Sequence, residues 1–292
     1  MMPALAILNH EWRGLWTSWL VRLWLIAAAL LVLLTLPPNW AQMSTAPLLA
    51  TMLFPFLVFP WFLPAILLGI TPVTGSRLEA LADGILSRPI TRYEYFLACW
   101  AARVAVVLTV FATVMLPVTL LLVLAKRPAP PDSVTWYGTS GALIVVALVL
   151  SFLVSLGFLA GTLLRKPLVA ALVLIFAWYP VNLVMHTFSL EELSPISLSQ
   201  AIPTLLRTPW RAAETGTQRL DQRDLQAVAD QAANFLNVLS GGSGTRPRES
   251  KETFFDKGDY RDFSLIRVLI GYGLPMLAAL GLSTLWFSRR DL

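Results

Sequence analysis

The sequence GSRLEALADGILSRPITRYE, residues 75 to 94, is a polar stretch between two long hydrophobic segments. A helix needs roughly 20 apolar residues to cross a bilayer core about 30 Å thick, and both neighbouring segments are long enough. The polar stretch is therefore expected at a membrane surface, with a membrane span on each side of it.

The composition of the whole chain indicates an integral membrane protein. Of its 292 residues, 57% are hydrophobic and only 13% are charged, which leaves too few polar side chains to cover a soluble protein of this size. The net charge is +5, but the basic residues are scattered and form no stripe with interleaved aromatic residues of the kind that binds nucleic acid. We interpret them as signals of membrane topology and expect membrane lipid, not nucleic acid, as a partner.

Six stretches are apolar and long enough to cross a bilayer as helices. They are residues 20–36, 48–72, 95–124, 139–164, 168–187 and 265–287. Six spans place both termini on one side. The short gaps on that side are rich in Arg and Lys, whereas the short gaps on the other side hold only Lys126 and Arg127. The positive-inside rule then makes both termini cytoplasmic. The predicted fold class is an all-α polytopic membrane protein.

The residues before the first span have an amphipathic pattern. The apolar residues at helical spacing are Leu5, Leu8, Trp12, Leu15, Trp16 and Trp19. This pattern is typical of an interfacial helix that lies flat in the headgroup layer, which is the structure we expect. The alternative is a cytoplasmic extension of the first span, with the tryptophans forming an aromatic belt.

The long gap from residue 188 to residue 264 is predicted to lie outside the cell, because segments longer than about 60 residues cross the membrane largely regardless of charge. Apolar residues between 225 and 239 recur every three or four positions, and Ser194-Pro195 and Thr208-Pro209 are typical of turns before helices. We expect a small helical extracytoplasmic cap that rests on the bundle or on a partner, since so short a segment is marginally stable alone. The chain thus divides into residues 1–187 with the interfacial helix and spans 1 to 5, the cap at 188–264, and 265–292 with span 6 and a cytoplasmic tail.

Within the spans, small residues predict helix packing. Gly157 and Gly161 are four residues apart in the fourth span, where they would let a neighbouring helix approach closely. Arg103 lies inside the third span, and an ionisable residue there is a functional candidate. We favour a simpler interpretation, in which its long side chain snorkels to the cytoplasmic headgroups.

The sequence contains no motif for catalysis, metal or nucleotide binding. G-x-S-x-G, H-E-x-x-H and G-x-x-x-x-G-K-[ST] are all absent. The two histidines, His10 and His186, would lie on opposite sides of the membrane, and Cys99 is the only cysteine. We therefore expect no catalytic, metal or cofactor-binding residue and no cofactor.

The second half of the opening polar stretch resembles a known family. Residues 85 to 94, ILSRPITRYE, resemble the LLS-x-P-[IV]-[ST]-R-x-E segment between the second and third spans of ABC-2 type ABC transporter permeases. The closing FSRRDL, residues 287 to 292, is similar to the F-x-R-R-D endings of that family. The six-span order and the amphipathic N-terminal helix agree with it.

The resemblance implies the permease subunit of an ATP-driven ABC transporter in the bacterial inner membrane. It implies a separate ABC ATP-binding subunit, which docks on the cytoplasmic segment 75–94, and a second permease copy, most simply in a homodimer. The implied ATPase-docking residues are Leu78, Glu79, Leu81, Asp83, Ile85, Leu86, Arg88, Pro89, Arg92 and Glu94. The apolar ones would enter a groove of the ATPase, the charged ones would set the register, and Pro89 would keep the docking helix from merging with the third span.

Two other functions remain open. The chain could be a membrane scaffold that recruits an extracytoplasmic protein partner through its cap without transport, or an intramembrane enzyme. A neighbouring gene for an ATPase with a Walker motif favours the transporter, and its absence favours the scaffold. A buried pair of nucleophile and base would favour the enzyme.

Overall fold

A computed structural model of the chain describes residues 3–58, 60–71, 91–129, 132–164, 166–187, 194–208 and 264–289. In these ranges the regular structure is helical, as the sequence predicts. Most of the implied docking residues, from Leu78 to Pro89, lie outside the described residues. So do the predicted cap helix between residues 225 and 239 and the last three residues of the chain.

The described helices are numbered here in chain order. They are α1 (Pro3–Thr17), α2 (Trp19–Asn39), α3 (Thr45–Leu57), α4 (Phe62–Ile70), α5 (Arg92–Leu124), α6 (Trp136–Leu163), α7 (Pro167–Thr187), α8 (Pro195–Leu206) and α9 (Leu265–Arg289).

Five helical stretches are long and apolar enough to cross a membrane. They are Trp19–Asn39, Thr45–Ile70, Tyr93–Leu124, Trp136–Leu163 and Leu265–Trp286, and they match the first four and the sixth of the predicted spans. The fifth predicted span coincides with α7, whose apolar stretch Pro167–Trp178 is shorter. These helices are compatible with a multi-pass membrane protein.

The second of these stretches is interrupted where prolines are concentrated. Pro55 lies inside α3, Pro60 lies between α3 and α4, and Pro64 lies in the first turn of α4. Because proline has no backbone N–H, Pro55 removes a donor from the helical ladder, whereas Pro64 lies in a first turn, where the N–H has no partner within the helix. The structure has two helices here, with α3 ending at Leu57 and α4 beginning at Phe62.

Helix α6 is the centre of the bundle, with α3, α4, α5, α7, α8 and α9 packed around it. Glycines allow its closest contact, which is with α4. A Cβ atom on Gly157 would lie 2.6 Å from the carbonyl oxygen of Ile66, and one on Gly161 would lie 2.9 Å from that of Ile70. On the facing helix, a Cβ on Gly69 would lie 2.5 Å from the carbonyl oxygen of Val154. Two helix backbones therefore meet directly, as small residues permit.

Helix α9 runs parallel to α6. Leu265 at the start of α9 lies next to Gly141 near the start of α6, and further along the rings of Tyr272 and Phe152 are 5.6 Å apart. The end of α9 and the end of α6 therefore lie at the same end of the bundle. The end of α4 also lies there, since Ile70 faces Gly161.

The outer faces of α2 and α9 are apolar and exposed. Leu30 and Leu33 on α2 and Leu274 and Leu277 on α9 are each more than half exposed. Such faces would be a liability in water, but they suit helices solvated by lipid tails.

Helix α1 is separate from α2. Ser18 between them has an extended backbone, with φ −64° and ψ 133°, so the two helices do not form one continuous rod. Helix α1 packs mainly on α5, with Leu15 buried against the core and Leu8 and Trp12 partly buried. Leu5 and Trp19, predicted on the same apolar face, are instead exposed. Whether α1 lies flat in the headgroup layer stays a prediction.

Helix α8 is the described part of the predicted extracytoplasmic cap. It begins at Pro195, as the Ser194-Pro195 pair predicts, because proline is favoured at the first position of a helix. Its apolar residues Leu198, Ile202 and Leu206 are buried, and it packs against α3 and α6. This part of the predicted cap therefore rests on the bundle.

A pair of glycine substitutions should separate close packing from helix propensity. Gly157→Ala places a methyl group against a backbone carbonyl that cannot rotate away, so we expect the free energy of unfolding to fall by about 1 to 3 kcal/mol. Gly281→Ala is the matched control in α9, because a Cβ there has no heavy atom within 4 Å. It should be neutral or stabilising by up to about 1 kcal/mol. Unfolding in mixed micelles measures both, and equal effects would contradict the close α4–α6 contact.

Candidate functional site where α1, α4 and α5 meet

The described end of the predicted docking segment is the start of α5. The Thr91 side chain accepts a hydrogen bond from the Glu94 backbone N–H at 3.3 Å, and the Glu94 carboxylate accepts one from the Thr91 N–H at 3.2 Å. This is a capping box, which satisfies two backbone donors that a helix start leaves free. Helix α5 thus begins at Arg92, three residues after Pro89 in the sequence, and the role of Pro89 in separating the helices stays a prediction. Glu94, predicted to dock the ATPase, also fixes this start.

Arg103 does not snorkel, contrary to the sequence-based interpretation. Its side chain is fully buried. Nε donates to the carbonyl oxygen of Leu68 at 3.1 Å, and Nη1 donates to that of Cys99 at 3.0 Å. Its guanidinium also lies 5.8 Å from the centre of the Phe158 ring in α6, within range of a cation–π contact.

The counter-charge of Arg103 is Glu11 on α1. Arg103 Nη2 lies 3.1 Å from Glu11 Oε2, and the Glu11 side chain is 18% exposed. The contact is an ion pair whose angles fall outside hydrogen-bond geometry. An isolated charge inside a protein costs several kcal/mol after relaxation, so the buried guanidinium needs this partner.

Sequence reasoning missed Glu11, although the sequence carried a signal. Glu11 lies on the same helical face as Leu8, Trp12 and Leu15, which is the face of α1 that packs on the bundle. An acidic residue in the middle of an apolar face indicates a buried partner, since an unpaired buried charge is rarely tolerated.

Other polar groups near this junction are used for packing between helices. The Trp100 indole N–H donates to the Ser155 hydroxyl at 2.9 Å, which joins α5 to α6. Ser155 in turn donates to the carbonyl oxygen of Ser151 at 2.9 Å. Over the described ranges, no group of three His, Cys, Asp or Glu side chains could hold a metal ion.

The opposite end of the bundle has its own charged cluster. Asp132 Oδ1 accepts from Arg207 Nε at 2.8 Å, and Asp132 Oδ2 accepts from the Ala46 N–H at 2.7 Å. Ala46 lies in the first turn of α3, where Ser44 makes no side-chain cap. Asp132 therefore caps α3 from a distant loop and links it to the end of α8, with the favourable placement of an anion at a helix N-terminus.

Arg127 secures the same loop to the turn between α2 and α3. Its Nη1 donates to the carbonyl oxygens of Trp40 and Met43 at 3.2 and 3.3 Å, and its Nη2 donates to Thr45 Oγ1 at 2.6 Å. The Trp40 ring centre is 5.5 Å from the guanidinium. Sequence analysis used Arg127 only as a topology signal, and it gave no role to Asp132.

Burial raises the pKa of Asp132, but the hydrogen bonds from Arg207 and Ala46 and the charge of Arg207 outweigh it, so the pKa lies below its usual value. A lowered folded-state pKa adds stability at pH values above the unfolded pKa of about 3.9. That stability is lost as the pH falls through the folded pKa. Protonated Asp132 would still be buried but could no longer pair with Arg207.

Comparison with known protein families and with curated proteins finds no match for this chain.

The contacts of Asp132 predict how the melting temperature depends on pH in the acid range. The melting temperature of the parent should fall as the pH is lowered from 5 to 3, and Asp132→Asn should have a lower melting temperature at pH 5 and a shallower fall. Lys126→Gln, an exposed change in the same loop, should follow the parent. Parallel slopes for the parent and Asp132→Asn would show that this carboxylate does not contribute stability through its charge.

Proposed function

We propose that this chain is the permease subunit of an ATP-driven ABC transporter of the ABC-2 type, and that it couples to a separate ATPase subunit through the segment 75–94. The observation that carries the proposal is the position of this polar segment. In the sequence it lies between the end of α4 and the Thr91 cap of α5, and both lie at the end of the bundle where Arg103 ties α1, α4 and α5 together. A segment that transmits force needs such firm attachment at both ends.

Six spans are supported by the path of the chain. Lys166 follows α6 at the end of the bundle where α4 also ends, whereas Leu206 accepts a hydrogen bond from Thr135 at the opposite end. The chain therefore passes from one end to the other between residues 166 and 206, a region that contains α7. This supports α7 as a sixth crossing of the membrane.

Cytoplasmic termini are supported by the charge at the two ends. The end that holds α1 and the end of α9 also holds Arg13, Arg22 and Lys166. The other end holds Lys126, Arg127 and Arg267, and Arg207 there is paired with Asp132. In the sequence, the gaps at the α1 end carry more Lys and Arg than the short gaps at the other end. The positive-inside rule then assigns the α1 end to the cytoplasm and α8 to the outside of a bacterial inner membrane.

The packing of one copy supports the proposal of a homodimer. The centre of the bundle is filled by apolar side chains of α6, and Val145, Val149 and Leu153 are fully buried. A pathway for substrate would therefore form between two copies, each with one ATPase subunit. The chain has no glycine-rich phosphate loop, so ATP binding and hydrolysis belong to the partner.

The proposal is tested by capture of the partner from native membranes. The purified parent should bring down a protein with a Walker motif, should bind no ATP alone, and should stimulate hydrolysis by that protein. Reversing the charges of Asp83 and Arg92 together should weaken capture, because like charges facing each other across an interface cost free energy. Membrane insertion should be unchanged.

Lys126→Glu is the matched control. It changes an exposed charge beyond the other end of α5 and should leave capture intact. If the doubly reversed chain captures the ATPase as well as the parent does, Asp83 and Arg92 do not contribute to the interface. Saturable ATP binding by the chain alone would contradict the division of labour. Recovery of an extracytoplasmic protein in place of any ATPase would favour the scaffold.

A further inference from the structure

Four helices meet at the guanidinium of Arg103. It is carried by α5, donates to the Leu68 carbonyl at the end of α4, pairs with Glu11 of α1 and lies beside Phe158 of α6. A packing role alone would be filled by an apolar side chain at lower cost in desolvation. The directed contacts of this side chain therefore call for another explanation.

The contact with α4 acts at the point where the docking segment begins. Leu68 lies in the last turn of α4, where carbonyl groups run out of donors within the helix. Its carbonyl oxygen accepts from Arg103 at 3.1 Å and from the Thr71 hydroxyl at 3.2 Å. The last turn of α4 is thus fixed to α5.

The other anchor is α5, the helix that carries Arg103 itself. Arg103 Nη1 donates one turn back along α5, to the carbonyl oxygen of Cys99. Residue 103 is about 16 Å of helix beyond the start of α5, and the intervening turns carry the Thr91 capping box. One side chain therefore links α4 and α5, the two helices between which the docking segment lies in the sequence.

The contact with Glu11 adds α1. The Arg103 side chain is completely buried, whereas Glu11 is partly exposed, so α1 can leave only if a buried guanidinium loses its counter-charge. Detachment of α1 and loosening of the two anchors are therefore opposed by the same interaction.

We propose that Arg103 is a positioning residue that joins α1 to both anchors of the docking segment, so that a displacement of α1 is transmitted to the ATPase-docking site. The transmission to the ATPase-docking site rests on the proposed function, whereas the link between α1 and α5 rests on the contacts alone.

Spin labels on α1 and at the start of α5 test the link. Asn9 and Tyr93 are exposed label sites, and Cys99→Ala supplies a cysteine-free background that keeps the carbonyl used by Arg103. Pulsed electron spin resonance should give a narrow distance distribution in the parent. Glu11→Gln, which removes the charge at constant size, should broaden it.

Two variants serve as controls. Arg13→Gln removes an exposed charge from the same helix and should leave the distribution narrow. Glu11→Asp keeps the charge and should restore part of the narrow distribution, which a purely apolar attachment of α1 would not require. If Glu11→Gln is not recovered folded, Glu11→Asp is compared with Arg13→Gln instead. The shorter carboxylate of Glu11→Asp should give a broader distribution than the parent, whereas Arg13→Gln should match the parent.

A second experiment measures capture of the ATPase by chains without spin labels. Glu11→Gln should weaken the affinity for the ATPase by roughly five- to tenfold, within the usual range of coupling between sites. Arg13→Gln should match the parent. A narrow distribution in Glu11→Gln would overturn the link, and a broad one with unchanged capture would overturn the transmission to the docking site. If the parent captures no ATPase, the proposed function fails, while the distance arm still decides whether the ion pair holds α1.

Discussion

A guanidinium buried among apolar helices must be neutralised and hydrogen-bonded, and this constraint organises the α1 end of the bundle. Glu11 supplies the charge, and the carbonyl groups of Leu68 and Cys99 accept two of the donors. Hydration is not available to a side chain with no exposed surface, so these partners are obligatory. The positions of α1, α4 and α5 then follow from one side chain.

The two ends of the bundle use charge in different ways. At the α1 end, a fully buried arginine joins helices across the apolar interior. At the other end, Asp132 and Arg127 join loops to helix termini, where the free backbone groups of α3 and of the α2–α3 turn need partners. At the α1 end, shape also contributes, because Gly69 and Gly157 bring the α4 and α6 backbones together beside the Arg103 contacts. Polar links therefore join helices at both ends of the bundle.

The helices could be predicted from the sequence because their signals are local. Span positions follow from hydropathy, and the start of α8 follows from Ser194-Pro195. The end of α1 was not predicted, since Trp19, placed on its apolar face, begins α2. The Thr91-x-x-Glu94 capping box was also readable, although the sequence analysis did not use it. The polar contacts were not predictable in this way, since the Asp132 bond to Ala46 joins residues 86 positions apart. The prediction that Arg103 snorkels was wrong because it assumed that lipid surrounds this side chain, whereas α1 and α4 pack against it.

A double-mutant cycle on Glu11 and Arg103 tests the central claim most directly. Glu11→Gln, Arg103→Met and the double variant would be unfolded reversibly in mixed micelles. The contacts of Arg103 with Leu68 and Cys99 are lost in both chains that carry Arg103→Met, so they cancel from the coupling term. We predict a coupling free energy of at least about 1 kcal/mol between the two side chains. A value near zero, with additive single effects, would contradict an organising role for this ion pair.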